Sequence, residues 1–514
     1  MQSIIDAGPP PPCPPQFNLA AHVLAAAQRF PERIALELLG PEGADRLTYA
    51  ALEARVRGCG TGLLALGLMP EDRVLMRLGN SVEFPVLFLG AIAAGLVPVP
   101  TSAQLTAREI GALCATLSPA LIVADASLPL PPDLPCRVLP SAELTKMASL
   151  PPVSFQLGDP NRLAYIIFTS GTSGRPQAVM HAHRAILARA MMMTGWYDLR
   201  PDDRVLHAGA FNWTYTLGTG LMDPWTMGAT ALIPMPGTPS ADLPGLLARH
   251  EASLFAAAPG VYRQMLRQPF APCPKLRHGL SAGESLPPAL RARWQEATGT
   301  DIHEAFGMSE ISTFLSGAPG RPAPIGCTGF AQPGRKLALL DGDGAPVPFG
   351  TPGIIAIDRK DPGLFLGYLD DPTATEAKFS GPWYLTGDTA EMTPEGAIRY
   401  LGRADDMMNA GGYRVSPLEV EAALTQHPEI AECAVVELAV SPEKSIIACA
   451  FVPRDASAPP TADALSAFAE SALARYKQPR HYCMIDALPR NPNGKINRRL
   501  LRQTLDLPAR NPAP

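Results

Sequence analysis

From residue 17 onward, apolar segments with helical spacing alternate with short apolar runs typical of buried strands. The helical segments span residues 20–30, 49–66 and 82–94. The strand-like runs span residues 34–38, 73–76, 97–99, 121–124, 204–208, 229–233 and 253–257. This alternation predicts an α/β architecture. Because 514 residues exceed one ordinary domain, we expect roughly two to four units, with enough apolar residues for a large core.

Charge and cysteine usage narrow the class of protein. A formal net charge of −5 gives no basic face for nucleic acid, so we expect no nucleic-acid partner. The nine cysteines stand singly, without a C-x-x-C pair or a Cys/His cluster. This pattern favours a reducing, cytoplasmic location with free thiols over disulfides or zinc.

Two segments bear on targeting. The proline-rich residues 1–16 lack the basic and apolar regions of a signal peptide, and we expect them to form a disordered lead-in. The most apolar stretch, residues 84–99, is interrupted by Pro85 and Pro98. It falls short of the ~18 uncharged residues that indicate a membrane span, so we expect a buried helix and strand there.

A predicted buried strand over 166–168 runs directly into a loop of hydroxyl side chains and glycines. Gly171 and Gly174 would let the backbone turn tightly and bring its N–H groups against an anion. The hydroxyl donors are Thr169, Ser170, Thr172 and Ser173. A helix over 183–193 is expected to follow, and the glycine spacing matches neither G-x-x-x-x-G-K-[ST] nor G-x-G-x-x-G. The loop predicts a phosphate-binding site, with a solvated turn as the alternative.

Aromatic side chains alternate at positions 211, 213 and 215 and are followed by Gly218 and Gly220. Such a segment could wall an apolar ligand slot. Packing of the rings in the core is the alternative.

Two more predicted strands end in small residues. In the segment 280–287, bare backbone could lie against a flat ring before a helix begins at the prolines. In the segment 304–310, Glu310 follows a second small-residue turn. A carboxylate near a triphosphate needs a bridging cation, so Glu310 is a candidate magnesium ligand. A solvated surface glutamate is the alternative.

Together with three later motifs, these segments resemble the adenylate-forming superfamily, which includes acyl- and aryl-CoA synthetases, peptide-synthetase adenylation domains and luciferases. The loop 169–177 resembles the phosphate loop of that family, 281–284 its adenine-contacting turn, and 306–310 its aromatic-Gly-x-Thr-Glu motif. The later motifs are Tyr-Leu-Thr-Gly-Asp at 384–388, Gly-Arg-Ala-Asp-Asp at 402–406 and Pro-Asn-Gly-Lys at 492–495. The resemblance covers residues 17–503.

The resemblance implies an enzyme that uses ATP, magnesium and coenzyme A, and it assigns a role to each matching residue. The implied ATP and AMP contacts are Thr169, Ser170, Gly171, Thr172, Ser173, Gly174, Gln177, Ala282, Gly283, Glu284, Phe306, Gly307, Met308, Ser309, Asp388 and Arg403. The implied catalytic residues are Lys495, Glu310 and Thr172, of which Glu310 and Thr172 would hold the metal. The implied acyl pocket consists of Trp213, Thr214, Leu217 and Gly218.

The resemblance also implies two domains. An N-terminal AMP-binding domain is expected over 17–402, with two α/β lobes and a smaller β-rich piece, and a mobile α+β domain over 403–514. Asp405 would be the hinge about which the small domain rotates between two half-reactions. Lys495 would serve the first, and Gly411, Gly412 and Arg414 would line a coenzyme A channel in the second. For Gly411 and Gly412, a plain hairpin turn is the alternative.

Three positions depart from the family pattern. Gln177 replaces the usual lysine of the phosphate loop, Phe306 replaces a tyrosine, and Ser309 replaces a threonine. The missing cation would remove a charge-assisted contact worth on the order of 1.5–3 kcal/mol, which predicts weaker ATP or pyrophosphate binding. The ring and the hydroxyl are kept at the other two positions.

The expected activity is that of a CoA ligase for an apolar or aromatic acid. Trp213 and the segment 222–225 most resemble medium-chain acyl and benzoate-type CoA synthetases, and residues 211–220 contain no cation to pair with a second carboxylate. Loading of a separate carrier protein, or a nucleotide-binding protein without activity, are the alternatives. The expected partners are a small-molecule acid, ATP and coenzyme A, and we expect a monomer or homodimer.

Overall fold

The computed structural model describes residues 2–40, 43–169, 176–404, 406–410, 413–441, 444–491 and 494–505. The chain divides into two compact units. The large unit comprises Ile5–Leu337 and Ile357–Tyr384, and the small unit comprises Met1–Ile4, Ala338–Ala356 and Leu385–Pro514. The predicted boundary at residue 403 stays a prediction.

Six sheets are formed by the described residues, and their strands are numbered along the chain. The six-stranded sheet contains β1 (Ile4–Asp6), β17 (Lys336–Leu340), β18 (Gly353–Asp358), β20 (Phe379–Ser380), β21 (Trp383–Met392) and β22 (Ile398–Arg403). The nine-stranded sheet contains β2 (Ile34–Leu39), β3 (Ala44–Thr48), β10 (Arg204–His207), β11 (Thr230–Pro234), β12 (Leu254–Ala257), β13 (His278–Ala282), β14 (Ile302–Met308), β15 (Ser312–Ser316) and β16 (Phe330–Ala331). The four-stranded sheet contains β4 (Arg73–Arg77), β5 (Val97–Pro100), β6 (Leu121–Ala124) and β7 (Arg137–Pro140).

The three remaining sheets are smaller. A three-stranded sheet contains β8 (Leu163–Thr169), β9 (Gln177–Ala182) and β19 (Gly367–Tyr368). A two-stranded sheet contains β23 (Met408–Ala410) and β24 (Tyr413–Val415), and another three-stranded sheet contains β25 (Ile430–Ser441), β26 (Lys444–Pro453) and β27 (His481–Met484).

The α-helices of the described residues are also numbered along the chain. They are α1 (Leu19–Leu24), α2 (Ala26–Arg29), α3 (Tyr49–Ala65), α4 (Glu83–Ala93), α5 (Ala107–Leu117), α6 (Glu143–Met147), α7 (Ala185–Met192), α8 (Asp223–Met227), α9 (Leu243–Arg249), α10 (Pro259–Met265), α11 (Pro288–Thr298), α12 (Pro372–Glu376), α13 (Pro417–Leu424), α14 (Ala462–Ala472) and α15 (Arg498–Thr504). Two π-helical segments, Met193–Tyr197 and Thr216–Met222, lie directly after α7 and before α8.

Two largely parallel sheets organise the large unit. The order of the nine-stranded sheet is β16-β15-β14-β13-β12-β10-β11-β2-β3, and its six central strands run parallel. The four-stranded sheet is wholly parallel, in the order β5-β4-β6-β7. Parallel strands are covered on both faces, which explains why β6 is a continuous buried run of apolar residues.

The cores lie on either side of these sheets. Helices α1, α3 and α4 pack in one apolar cluster with side chains of β2 and β11 and of β4 and β6. The opposite face of the nine-stranded sheet is covered by α9, α10 and α11, and the opposite face of the four-stranded sheet by α5. The loops at the carboxyl ends of β10, β13 and β14 therefore rest on a rigid sheet.

The structure differs from expectation at the N-terminus. The predicted disordered lead-in contains β1, and the Ser3 amide donates to the Val347 carbonyl at 2.7 Å. The helix expected over 20–30 is two short helices, α1 and α2. Among the described residues, no helix combines the length and the apolar character needed to cross a bilayer.

Candidate active site

The predicted phosphate loop lies between two strands of a hairpin. Thr169 ends β8 and pairs across the antiparallel ladder with Gln177, which begins β9. The helix expected over 183–193 is α7, and the six-residue strand β9 lies between the loop and this helix. Ser170, Gly171, Thr172, Ser173 and Gly174 lie outside the described residues, so the roles expected for them stay predictions.

The predicted adenine-contacting turn follows the end of β13 at Ala282. Gly283 has a positive φ of 99°, which a side chain would strain. The indole of Trp213 lies against it: a Cβ on Gly283 would stand 2.7 Å from the indole Cζ2. Glycine is thus required here by both backbone conformation and close approach. The residue that the sequence assigned to the acyl pocket therefore contacts the turn assigned to adenine, where Glu284 comes next along the chain.

Glu304 supports this turn from the neighbouring strand β14. The Leu286 backbone N–H donates to its Oε1 at 3.2 Å, and burial raises the pKa of Glu304 to about 7. No role was predicted for Glu304 from the sequence. Its position fixes the far end of the turn that starts at Gly283.

The predicted aromatic-Gly-x-Thr-Glu motif forms the connection between β14 and β15. Phe306, Gly307 and Met308 lie on β14, and Ser309 and Glu310 form the turn. A Cβ on Gly307 would stand 2.2 Å from the Ser312 carbonyl oxygen, so the close return of β15 requires glycine. The Phe306 ring packs edge-on against Phe314, with centroids 5.4 Å apart.

Glu310 is buried and is oriented by a neighbouring phenol. The Tyr368 hydroxyl donates to Glu310 Oε1 at 2.8 Å. Among the described residues, no group of three or more His, Cys, Asp or Glu side chains could enclose a metal ion. A magnesium ion at Glu310 would therefore take most of its ligands from phosphate oxygens and water, as this ion commonly does. The oxygen donor at Glu310 fits that chemistry.

The acyl-pocket residues follow β10 and lead into a π-helical segment. The Asn80 amide holds this loop by donating to the Gly209 carbonyl and accepting from the Phe211 N–H. Phe211 is core, packed on Phe84, and Tyr215 is buried with its hydroxyl donating to the Leu280 carbonyl. Of the three aromatic residues, only Trp213 is partly exposed, so it alone can face a ligand.

A buried ion pair that the sequence did not reveal lies directly behind this pocket. Arg189 on α7 donates from Nε and Nη2 to the two oxygens of Asp223, each at 2.6 Å. The Tyr197 hydroxyl also donates to Asp223, at 2.8 Å. A Cβ on Gly218 would stand 2.0 Å from the Arg189 Cζ, so the glycine makes room for the guanidinium. In the sequence, this ion pair is indicated only by the single arginine of an otherwise apolar helix. A buried charge needs a partner, so such an arginine predicts that one exists.

The structure brings several of these predicted residues around one small cavity of about 20 Å³ in the large unit. Thr214 and Leu217 from the acyl segment line it together with Ser309 from the nucleotide motif. The acyl and nucleotide motifs therefore meet in three dimensions, although about ninety residues separate them along the chain.

The small unit contains the predicted ribose-binding aspartate. Asp388 on β21 is buried, accepts from the Tyr400 hydroxyl at 3.0 Å, and lies 3.4 Å from Arg403 Nη1. Burial and the adjacent carboxylate raise the pKa of Tyr400, which keeps it a hydrogen-bond donor. Gly387 has a φ of 77°, and a Cβ there would stand 3.1 Å from Arg403 Nη2. The contacts fix the orientation of Asp388.

The predicted catalytic lysine lies on an exposed turn of the small unit. The Lys495 N–H donates to the Asn491 side chain at 2.9 Å, and the Asn491 N–H donates to the Lys495 carbonyl at 2.8 Å. Gly494 has a φ of 85°, which suits glycine. The backbone of Lys495 is thus held in place while its side chain is exposed.

The predicted coenzyme A residues are described only in part. Gly411, Gly412 and the hinge residue Asp405 lie outside the described residues, and Arg414 is placed on β24 by its backbone alone. The flanking strands β23 and β24 pair antiparallel, with Ala410 opposite Tyr413. The roles assigned to these residues stay predictions.

Comparison with known proteins first defines the class of fold. A benzoate CoA ligase from Burkholderia xenovorans LB400 superimposes with a TM-score of 0.83 at 28% sequence identity, covering 95% of this chain and 100% of that one. The predicted mixed α/β fold with a smaller C-terminal domain is confirmed.

The family follows from the sequence matches. The AMP-binding enzyme family matches residues 23–369, and the AMP-binding enzyme C-terminal domain matches residues 419–495, so the chain belongs to the AMP-binding enzyme family. The benzoate–CoA ligase of Thauera aromatica is 32% identical over 90% of this chain and 91% of its own length. The mitochondrial acyl-coenzyme A synthetase ACSM3 of Mus musculus is 29% identical over 85% and 80%. The resemblance stated from the motifs is confirmed.

Proposed function

We propose that this enzyme is an AMP-forming acid–thiol ligase for an apolar or aromatic carboxylic acid. It would activate the acid with ATP as an acyl-adenylate and then transfer the acyl group to the thiol of coenzyme A. The observation that carries the proposal is the contact between Trp213 and Gly283, which joins the assigned acyl wall to the assigned adenine turn. Relatives named as benzoate–CoA ligase and acyl-coenzyme A synthetase, each matched over most of its length, support the same activity.

The first half-reaction forms the adenylate. A carboxylate oxygen of the acid attacks the α-phosphorus of ATP, the bond from that phosphorus to the bridging oxygen breaks, and pyrophosphate leaves. Two anions approach each other in this step, so positive charge must be placed where negative charge develops. Lys495 is our candidate for that charge. The turn that fixes its backbone and exposes its side chain supports this role.

Magnesium would screen the charge of the phosphates and of the departing pyrophosphate. Glu310 is the described residue suited to hold it, since its carboxylate is already oriented by Tyr368. Thr172 is our candidate for a second oxygen ligand. Asp388, held by Tyr400 and Arg403, is the candidate for the ribose hydroxyls.

The second half-reaction forms the thioester. The sulfur of coenzyme A attacks the acyl carbon, the bond to the phosphate oxygen breaks, AMP leaves, and the thiol proton passes to solvent. Gly411, Gly412 and Arg414 are our candidates for the coenzyme A channel, with Asp405 as the hinge that separates the two half-reactions. Small residues would leave room for the pantetheine arm, and an arginine suits a phosphate.

ATP–pyrophosphate exchange over a panel of straight-chain, branched and aromatic carboxylic acids tests this function. We expect exchange that depends on the added acid, with apolar or aromatic acids above dicarboxylic and amino acids. Full exchange without an added acid, or none with any member of the panel, would contradict the proposal. Thioester formation with coenzyme A then separates a CoA ligase from an enzyme that loads a carrier protein.

A further inference from the structure

The small cavity behind the acyl segment is lined by both polar and apolar side chains. Its polar lining includes Tyr165, His181, Arg189, Thr214, Ser309 and Ser312. Leu217 and Met222 add apolar walls. A volume of about 20 Å³ admits a single water molecule or one small substituent of a ligand, but not a ring. Because Thr214 and Leu217 also belong to the assigned acyl pocket, a group on the acid could reach this cavity.

His181 places two buried ring nitrogens beside this cavity. It is only 3% exposed, and neither ring nitrogen has a hydrogen-bond partner of ordinary geometry among the described residues. Burial lowers the pKa of His181 to about 4, while the backbone of Ser309 lies close to the ring and favours its charged form. The imidazole is therefore neutral near pH 7, with one N–H donor and one nitrogen acceptor.

The position of this ring is fixed. It stacks on Tyr165 with centroids 4.7 Å apart and planes 15° apart. A buried polar group without a partner costs on the order of 1–3 kcal/mol, so a ring held in this way calls for a ligand or a bound water.

The charge in the cavity is already balanced. Arg189 pairs with Asp223 through two contacts of 2.6 Å and also donates to the Ser312 hydroxyl. A second carboxylate on the acid would meet no unpaired cation among these residues, whereas an uncharged group could hydrogen-bond to the neutral imidazole. Residues 211–220 likewise contain no cation that could pair with a second carboxylate.

We propose that the acid bears a hydroxyl group on its ring or chain, and that this hydroxyl enters the cavity and hydrogen-bonds to His181. The inference rests on the proposed acid–CoA ligase function and narrows its substrate class. A hydroxyl matches the site because its oxygen can either donate to the acceptor nitrogen of the neutral imidazole or accept from the ring N–H. His181 is then a specificity-determining residue, and a fixed water is the competing occupant of the cavity.

Matched acids test the substrate class. For one aromatic and one aliphatic parent acid, kcat/KM for thioester formation is measured with hydrogen, methyl or hydroxyl at each position in turn. We expect one position at which the hydroxyl acid exceeds both the methyl and the unsubstituted acid by at least about tenfold, since a site built to bond a hydroxyl rejects analogues that lack it. Equal values for the three acids at every position would overturn the inference and assign the cavity to water.

Two variants test whether the preference for hydroxyl acids depends on His181. His181→Phe keeps an aromatic ring beside Tyr165, and we expect it to reduce the hydroxyl preference to about twofold or less. His303→Phe is the matched control, because His303 is also a buried histidine on a strand of the large unit but does not line the cavity. A preference that survives His181→Phe, or that is lost equally in His303→Phe, would contradict the role of His181. Should His181→Phe fail to fold, the wild-type series alone decides.

The two proposals fail in different ways. If the enzyme turns over acids without preferring those that bear a hydroxyl, the ligase function stands and only the proposed hydroxyl site at His181 is excluded. Absence of turnover with every acid of both series, in a protein with a cooperative melting transition, removes the ligase function and the inference together.

Discussion

The indole of Trp213 lies so close to Gly283 that a methyl group on the glycine would stand 2.7 Å from the indole Cζ2. Two segments about seventy residues apart are thus fixed against each other beyond the carboxyl ends of β10 and β13, which lie on either side of β12 in the nine-stranded sheet. Any change in the size of residue 213 therefore alters the space beside the turn that we assign to adenine.

Truncating Trp213 should broaden the range of acids. We expect Trp213→Ala to shift the preference toward longer or bulkier acids in graded steps, since one methylene in an apolar pocket is worth about 1–3 kcal/mol. The KM for ATP should change little. Trp225→Ala is the control: Trp225 is fully buried and bonds the Ala35 carbonyl, so its loss should cost roughly 3–5 kcal/mol of stability. An unchanged acid ranking with a large fall in Tm would place Trp213 in the core instead.

Removing the charge of Asp223 should destabilise the large unit strongly. In Asp223→Asn the buried Arg189 guanidinium loses its counter-charge, and we expect a loss of about 3–5 kcal/mol in the free energy of unfolding. Chemical denaturation measures it. Glu143→Gln breaks the exposed pair with Lys146 and should change stability by less than about 1 kcal/mol. Similar small effects of both substitutions would show that the buried pair is not required for the fold.

Glu304 should make stability depend on pH. Burial raises its pKa to about 7 in the folded protein, above the ordinary range near 4.5. Between these values the folded protein binds more protons than the unfolded chain, so the free energy of unfolding falls as pH rises from about 4.5 to 7 and levels off above. The decline from this one group is of order 3 kcal/mol.

Replacing the carboxyl by an amide removes that contribution. We expect the difference in stability between Glu304→Gln and the wild type to shift in favour of the variant as pH rises through this window. Glu376→Gln serves as the control, because Glu376 is largely exposed. Parallel pH profiles for Glu304→Gln and the wild type, measured by denaturant titration, would disprove the assignment.

Lys495 should matter for one half-reaction only. We expect Lys495→Ala to abolish most acyl-adenylate formation but to leave thioester formation from a supplied acyl-adenylate nearly unchanged, because its charge is assigned to the attack on phosphorus. Rapid-quench measurements of each half-reaction separate the two. Lys146→Ala, a change at an exposed lysine of the large unit, should affect neither. Equal losses in both half-reactions of Lys495→Ala would exclude a role confined to the first.

Elements with a strong local pattern could be predicted from the sequence. Residues 121–124 form a strand with the predicted bounds, and the helix expected over 49–66 is α3. Continuous apolar runs and helical spacing are local signals that the tertiary structure did not override. The strand β9 was missed because Gln-Ala-Val-Met-His-Ala has no clear alternation, and its identity comes from pairing with β8. The strand β1 was missed because its proline-rich surroundings resemble a disordered segment.

Candidate site residues could be predicted only where they lie within one short sequence motif. The motifs assigned Gly283, Gly307 and Glu310 to the site, and the structure requires glycine at the first two positions, while the roles of all three stay predictions. The pair of Arg189 and Asp223, and the contact of His181 with the cavity, depend on which helix and strand meet behind the acyl segment. Such long-range contacts leave no periodic signal in the sequence, and a lone buried charge indicates only that a partner must exist.

Analysis of the reaction products distinguishes an AMP-forming acid–thiol ligase from other ATP-dependent enzymes. The enzyme is incubated with ATP, coenzyme A and the acid that supports the strongest exchange, and every nucleotide and phosphate product is quantified. We expect equal amounts of acyl-CoA, AMP and pyrophosphate, with an acyl-adenylate accumulating when coenzyme A is omitted. Formation of ADP and orthophosphate, or of a thioester without AMP, would contradict it.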